Sequence, residues 1–339
     1  MDLPLYFDYN ATTPCHPEVV EAMLPYFTSA YGNASSGHHP YGWFAADAVE
    51  SAREEVAELI GAASMEDLVR QGFEWTCIPV NANGEISLDQ LKSSFKENTL
   101  LLVAMTANNE TGNLHPIKEM AALAREHGVL FLTDAVQAIG KIPLNVKELG
   151  VDMLALSAHK MYGPKGVGAL YIRKGSPKLT LKAQITGGGQ ERDLRSGTLN
   201  VPGIVGLGKA SSLGLANQLD EAQRLSKLRN KLETGLLEIE DSQLNGSSNR
   251  LPHVCNVSFR GILGKPLLIR INKKLAVSSG AACSSVTDKP SHVLTAMGLD
   301  GPTAMATLRL SLGRFTTEEN VDFAISYISK VVNDLRTAS

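Results

Sequence analysis

Between about residues 73 and 173 the chain alternates short apolar runs with helical patterns. The runs are FEWTCIPV, LLLVAM, VLFLTD, MLALSA and GALYIR, and stretches such as IKEMAALAREHG lie between them. Strand-length runs separated by amphipathic helices predict a parallel α/β sheet. Upstream, WFAADAVESAREEVAELIG places Ala45, Val49, Ala52, Val56 and Leu59 at helical spacing, which predicts an amphipathic helix. After residue 210 long helices take over. There, EIEDSQLNGSSNRLPH is polar and turn-rich and reads as a loop, and TTEENVDFAISYISKVV opens with a capping box from Thr316 to Glu319. The pattern predicts a large domain over residues 15–214 and a smaller α+β domain made of residues 1–14 and 215–339.

Length and composition agree with two domains. In 339 residues, 43% apolar and 20% charged, there is material for one large core and a smaller one. A net charge of -3 with interspersed signs provides no footprint for nucleic acid or an anionic membrane and favours small zwitterionic substrates. Cys15, Cys77, Cys255 and Cys283 lie far apart without zinc spacing, so neither a disulfide framework nor a metal site is indicated. No run of about 18 apolar residues and no basic leader is present. A cytoplasmic protein is expected.

Ligands of parallel α/β sheets bind at the carboxyl ends of the strands. Polar clusters stand at three of those ends: TANNETG, DAVQ and SAHK. Lys160 follows an apolar run and then meets glycines in SAHKMYGPKG. Burial there lowers the pKa of an amine toward the range where it is nucleophilic, although a lysine can instead snorkel to solvent. Asp134 could cap a helix, and Asn109 and Gln137 could cap turns.

YFDYNATTP, YGNASS, NNETG, DAVQAIGK, SAHKMYGPKG, GGGQERDLRSGT, SSGAACSS and RLSLGRFTTEE occur in this order. Together they resemble the cysteine desulfurases of the NifS/IscS type, pyridoxal-phosphate enzymes of the class V aminotransferase group. The serine- and alanine-rich stretch around Cys283 is similar to the long-loop branch that feeds iron-sulfur cluster assembly.

The resemblance implies pyridoxal-phosphate transferase fold type I, a mostly parallel sheet flanked by helices with a smaller α+β domain. It implies that Lys160 holds pyridoxal phosphate covalently and moves the substrate proton. Asp134 would pair with the pyridine nitrogen, Gln137 with the phenolic oxygen, and Asn109 would lie beside the same edge. Ser157 and His159 match phosphate-site positions, and Thr198 one that reaches the phosphate in the other subunit of a homodimer. Arg309 matches the clamp on the substrate carboxylate, for which a bidentate guanidinium is suited. Cys283 would be the nucleophile that takes sulfur from L-cysteine as a persulfide, leaving L-alanine, and passes it to an acceptor or iron-sulfur scaffold protein. Cys77 and Cys255 read as small buried hydrophobes. Selenocysteine lyase activity would use nearly the same residues.

The chain departs from the family after about residue 62. There the relatives have a strand, a glycine turn opening a helix that cradles the cofactor phosphate, another strand and a histidine that stacks on the ring. LIGAASMEDLVRQGFEW passes directly over that region, and no histidine stands between His39 and His115. The loss removes backbone N–H donors to the phosphate and exposes a sheet edge, and a degenerate non-catalytic relative is the alternative it raises.

Overall fold

The computed structural model describes residues 4–30, 43–45, 47–49, 51–52, 72–175, 179–279 and 289–337. Strand β1 (Leu5–Tyr6) is short. A four-stranded sheet follows, built from β2 (Leu101–Met105), β3 (Leu130–Asp134), β4 (Met153–Ser157) and β5 (Gly168–Ile172) in that spatial order. β2, β3 and β4 run parallel, whereas β5 is antiparallel to β4. The segment between β4 and β5 carries only a 3₁₀ turn, too little for the crossover that a parallel pair needs.

Between β2 and β3 lies α1 (Ile117–Glu126), whose Ile117, Met120, Ala121 and Ala124 are buried. Their spacing makes one apolar stripe, which packs with Phe131 of β3 and Leu154 of β4 into a core. Burying a side chain such as Ile117 or Met120 is worth about 1.5–3 kcal/mol. The helix stops where Gly128 takes φ 69°, a left-handed conformation that glycine adopts without cost.

Helix α2 (Val201–Leu237) carries the chain from this core to a second one. Its Leu207 and Ala210 belong to the first, its Leu225, Leu232 and Leu236 to the second. The 214/215 division therefore falls inside a continuous helix. The second core is formed by β6 (Ser242–Leu244), β7 (Val254–Phe259), α3 (Gly264–Ile271), β8 (Leu275–Ala276), β9 (Ser278–Ser279), β10 (Thr307–Ser311) and α4 (Glu318–Thr337). β6, β7, β10 and β9 form an antiparallel sheet in that order. β1 pairs in parallel with β8, and Asp8 bridges to Ser311, so the N-terminus is stitched to this sheet.

Several expectations need correction. FEWTCIPV is not a strand: residues 73–79 are irregular, and Val80 makes a single bridge to Ile86. An extended segment becomes a strand only with a ladder partner, and among the described residues this one has none. Phe73 and Trp75 are exposed in consequence. The segment read as a polar loop contains β6, whose residues 242–244 find partners in β7. The capping box lies one residue later than expected. Thr317 Oγ accepts from Asn320 N–H at 3.3 Å and Asn320 Oδ1 accepts from Thr317 N–H at 3.2 Å, while Thr316 Oγ accepts from Gly313 N–H. In the upstream helical pattern Ala45, Val49 and Ala52 are buried; Val56 and Leu59 lie outside the described residues.

Candidate active site

The N-terminal segment from Asp8 to Thr13 runs across the carboxyl ends of the parallel strands, and side chains from both cores are bonded to it. At the end of β4 the chain makes a 3₁₀ turn over Ala158–Lys160. This turn returns the Lys160 amine to the N-terminal segment, where Nζ donates to the Asn10 carbonyl and, at 2.8 Å, to that of Ala11. Gln137 Nε2 donates to the same Asn10 carbonyl at 3.4 Å. The turn is held from behind by Tyr162, a non-glycine residue at φ 68°. Such a backbone is strained and persists only when its surroundings fix it. Here the Tyr162 N–H donates to Thr13 Oγ at 2.8 Å, its hydroxyl accepts from Arg314 N–H at 2.6 Å, and its ring lies against Lys141 and Arg314.

Arg309 arrives from β10 of the second sheet and is 1% exposed. Its Nη2 pairs with Asp8 Oδ1 at 2.7 Å and donates to Ser278 Oγ at 3.2 Å, and its Nη1 donates to the Asn109 carbonyl at 2.9 Å. Its Nε is buried with no hydrogen-bond partner among the described residues. Asn109, Asp134, Gln137, Lys160 and Arg309, residues 200 positions apart at the extremes, line one cavity of about 380 Å³. Ser157 and His159 line a neighbouring cavity of about 510 Å³ together with Thr12 and Lys165. Ala11 borders both.

Burial pushes the Asp134 carboxyl up from its ordinary range, opposed by the Val136 N–H, which donates to Oδ1 at 2.8 Å, and by the Lys160 charge. A cationic ring nitrogen placed against it would favour the carboxylate. His159 is held below its ordinary value by burial and then by Lys160 and Lys165, which keeps the ring neutral, with Nδ1 3.2 Å from Thr12 Oγ.

The two remaining positions stand apart. Thr198 is exposed and borders neither cavity. Cys283 and its flanking serines lie outside the described residues. Cys255 is fully buried as expected, but Cys77 is exposed, its segment joining no sheet among the described residues. Sequence reasoning gave no role to Asn10 or His253. The Asn10 side chain is 1% exposed, donates from Nδ2 to the Asn109 carbonyl at 3.2 Å and lies 2.8 Å from His253 Nε2 through Oδ1. The polar run NATT inside an otherwise apolar N-terminus was the available signal.

The donor set suits a phosphorylated pyridine aldehyde. An amine that can condense with the aldehyde, a carboxylate for the ring nitrogen and an amide for the ring oxygen line the first cavity. Hydroxyl and imidazole groups line the second. Among the described residues no three His, Cys, Asp or Glu side chains converge as metal ligands, and no helix is long and apolar enough to cross a membrane.

The model of the class-V aminotransferases matches residues 5–69 and 66–323. The chain belongs to the class-V aminotransferase family. Members of this family are pyridoxal-phosphate enzymes. Among curated relatives, cysteine desulfurase IscS of Anaeromyxobacter dehalogenans is 46% identical over 385 aligned positions, covering 100% of this chain and 95% of the relative. That of Methylococcus capsulatus is 41% identical over 384 positions, with the same coverage. A solved NifS-like protein superposes with a TM-score of 0.89 at 33% identity, covering 98% of this chain and 100% of its own. A structure titled SspA in complex with cysteine gives 0.77 at 30% identity, covering 92% and 100%. The family match breaks at residues 66–69, beside the expected gap, and the 385 aligned positions exceed the 339 residues by 46.

Proposed function

We propose that the protein is a cysteine desulfurase that uses pyridoxal phosphate to remove sulfur from L-cysteine, giving L-alanine and a persulfide on Cys283. The observation that carries this reading is the convergence of Lys160, Asp134, Gln137, Asn109 and Arg309 on one cavity. Bound there, the cofactor supplies an electron sink that allows bonds at the substrate's α and β carbons to break. Asp134 would hold the ring nitrogen, Gln137 and Asn109 the ring edge, and Ser157 and His159 the phosphate, joined by Thr198 of the second protomer in a homodimer. The division into a cofactor-binding domain of residues 15–214 and a small domain of residues 1–14 and 215–339 belongs to the same reading.

Arg309 binds and orients the substrate carboxylate. Being held by Asp8, Ser278 and the Asn109 carbonyl, it loses little freedom when it does so. Lys160 takes the proton from the α carbon and can return protons to the product, since its amine is on a short turn at the cavity wall. The Cys283 thiolate attacks the substrate sulfur. The S–S bond forms as the C–S bond breaks, the electron pair stays with the β carbon, and that carbon is protonated to the methyl group of alanine. Sulfur is oxidised from thiol to persulfide level and carbon is reduced by the same two electrons, so no outside oxidant is required. The persulfide then passes to an acceptor protein for iron-sulfur cluster assembly in the cytoplasm.

The test is to load the protein with pyridoxal phosphate, add L-cysteine without reductant, and measure alanine together with the mass of each cysteine peptide. Alanine in step with an added sulfur on the Cys283 peptide is expected. Extra sulfur on Cys15, Cys77 or Cys255, or ammonia and pyruvate in place of alanine, would overturn the reading. Competition between cysteine and selenocysteine separates this activity from a selenocysteine lyase.

A further inference from the structure

Lys160, Gln137, Asn109 and Arg309 come from four separate parts of the chain, and each bonds either to Asn10 or to the one carbonyl that Asn10 also holds. The Asn10 carbonyl accepts from Lys160 and Gln137. Its Nδ2 shares the Asn109 carbonyl with Arg309. Its main-chain N–H donates to Ser311 Oγ at 2.8 Å, which ties it to β10. The remaining atom, Oδ1, faces His253 Nε2 at 2.8 Å.

This last contact fixes the state of the histidine. Because Nδ2 of Asn10 donates to a carbonyl, the end of the amide that faces the histidine is Oδ1, which can only accept, so the His253 Nε2 carries the hydrogen. Nδ1 is then a bare lone pair, buried and without a hydrogen-bond partner among the described residues. His253 itself is 1% exposed, and burial followed by the charges of Lys141, Arg229 and Arg309 holds it neutral. A buried histidine with one nitrogen unsatisfied costs stability. Among the described residues its ring makes one hydrogen bond, to Asn10.

We propose that Asn10 and His253 form a positioning pair that sets where the Lys160 amine rests. His253 fixes the Asn10 amide, the amide fixes the peptide unit, and the carbonyls of Asn10 and Ala11 hold the amine at the cavity wall. Neither residue exchanges a proton with substrate. The pair gives Lys160 a defined place to stand whenever its nitrogen is not bonded to the cofactor. This rests on Lys160 being the reactive amine.

The test uses the full-length, cofactor-free protein. Trace acetylation with isotopic acetic anhydride, read by peptide mass spectrometry, gives the reactivity of Lys160 relative to Lys165 in the same molecule. Asn10→Ala and His253→Leu are expected to raise that ratio about tenfold, the equivalent of one lost hydrogen bond. The rate of covalent loading by pyridoxal phosphate should fall by a similar factor. His253→Gln, whose amide N–H can reach Oδ1, should restore both readings. General loosening of the fold would raise the labelling of all lysines and would not be rescued by glutamine. Should His253→Leu fail to fold, Asn10→Ser takes its place with the same expectation. Folded variants with the wild-type ratio and loading rate overturn the proposal. A wild-type protein that takes no cofactor on Lys160 refutes instead the functional reading beneath it.

Discussion

The two cavities beside the N-terminal segment are built to different standards. On the ring side, Lys160, Gln137, Asn109 and Arg309 are held by a closed web of hydrogen bonds through Asn10 and Asp8. On the phosphate side the described residues supply Ser157, His159 and Thr12, with Lys165 at the exposed rim. The family resemblance places a helix N-terminus, with several backbone donors for an anion, in the stretch that the sequence passes over after about residue 62. Under the proposed reading, the reactive end of the site is over-determined, whereas among the described residues its anchoring end is sparse. Chemistry and cofactor retention are separable properties here, and experiments can pull them apart.

The largest effects are expected from the groups proposed to react. Lys160→Ala should abolish covalent cofactor loading, measured by visible absorbance, since no other described lysine lines that cavity. Cys283→Ser should leave cysteine binding intact, seen as a spectral change on adding substrate, while alanine and persulfide formation disappear.

Next comes the phosphate side. Two missing hydrogen bonds to a charged group, at about 1.5–3 kcal/mol each, weaken binding by roughly a hundred-fold to ten-thousand-fold or more. Grafting the missing segment from a relative between about residues 62 and 68 should recover that affinity, measured by cofactor titration. If the graft leaves affinity unchanged, the contrast between the cavities is wrong.

Arg309→Ala strands Asp8 beside a buried hole and should cost about 3–5 kcal/mol in denaturant unfolding, as breaking one side of a buried pair does. The smallest effect concerns pH. Burial depresses His253 in the native state, so below about pH 6.5 the unfolded chain takes up a proton that the native one refuses. Stability is present above that value and is lost as pH falls, by at most about 1.4 kcal/mol per pH unit for this residue. His115, also lowered by burial, adds to the loss, whereas the raised carboxyls of Asp134 and Glu110 favour the native state as they protonate at lower pH. His253→Gln should flatten the dependence of the urea midpoint between pH 7 and 5.5.

Much of the ring side was legible because its residues sit where apolar runs stop. β3 ends at Asp134 and β4 at Ser157, so period and polarity alone marked Asp134 and Lys160 as strand-end groups. Their roles came from the resemblance of ordered motifs. The Asn10 junction was legible only as a polar run, NATT, because two of its contacts go to a main-chain carbonyl, which leaves no trace in residue type, and its side-chain partner His253 lies 243 residues away. FEWTCIPV misled for the opposite reason. Its composition is that of a strand, but pairing depends on a neighbour elsewhere in the chain, and among the described residues it has none. The shift of the capping box to Thr317 reflects competition: the Gly313 N–H had already taken Thr316 Oγ.

The most direct test of the central claim is borohydride trapping with peptide mapping. The protein is equilibrated with pyridoxal phosphate, one half is reduced at once and the other is dialysed first. A reactive lysine beside a weak phosphate site predicts one reduced cofactor adduct, on the Lys160 peptide, in the first half and little in the second. An adduct on Lys165 or another lysine, or full retention of the cofactor through dialysis, would contradict it.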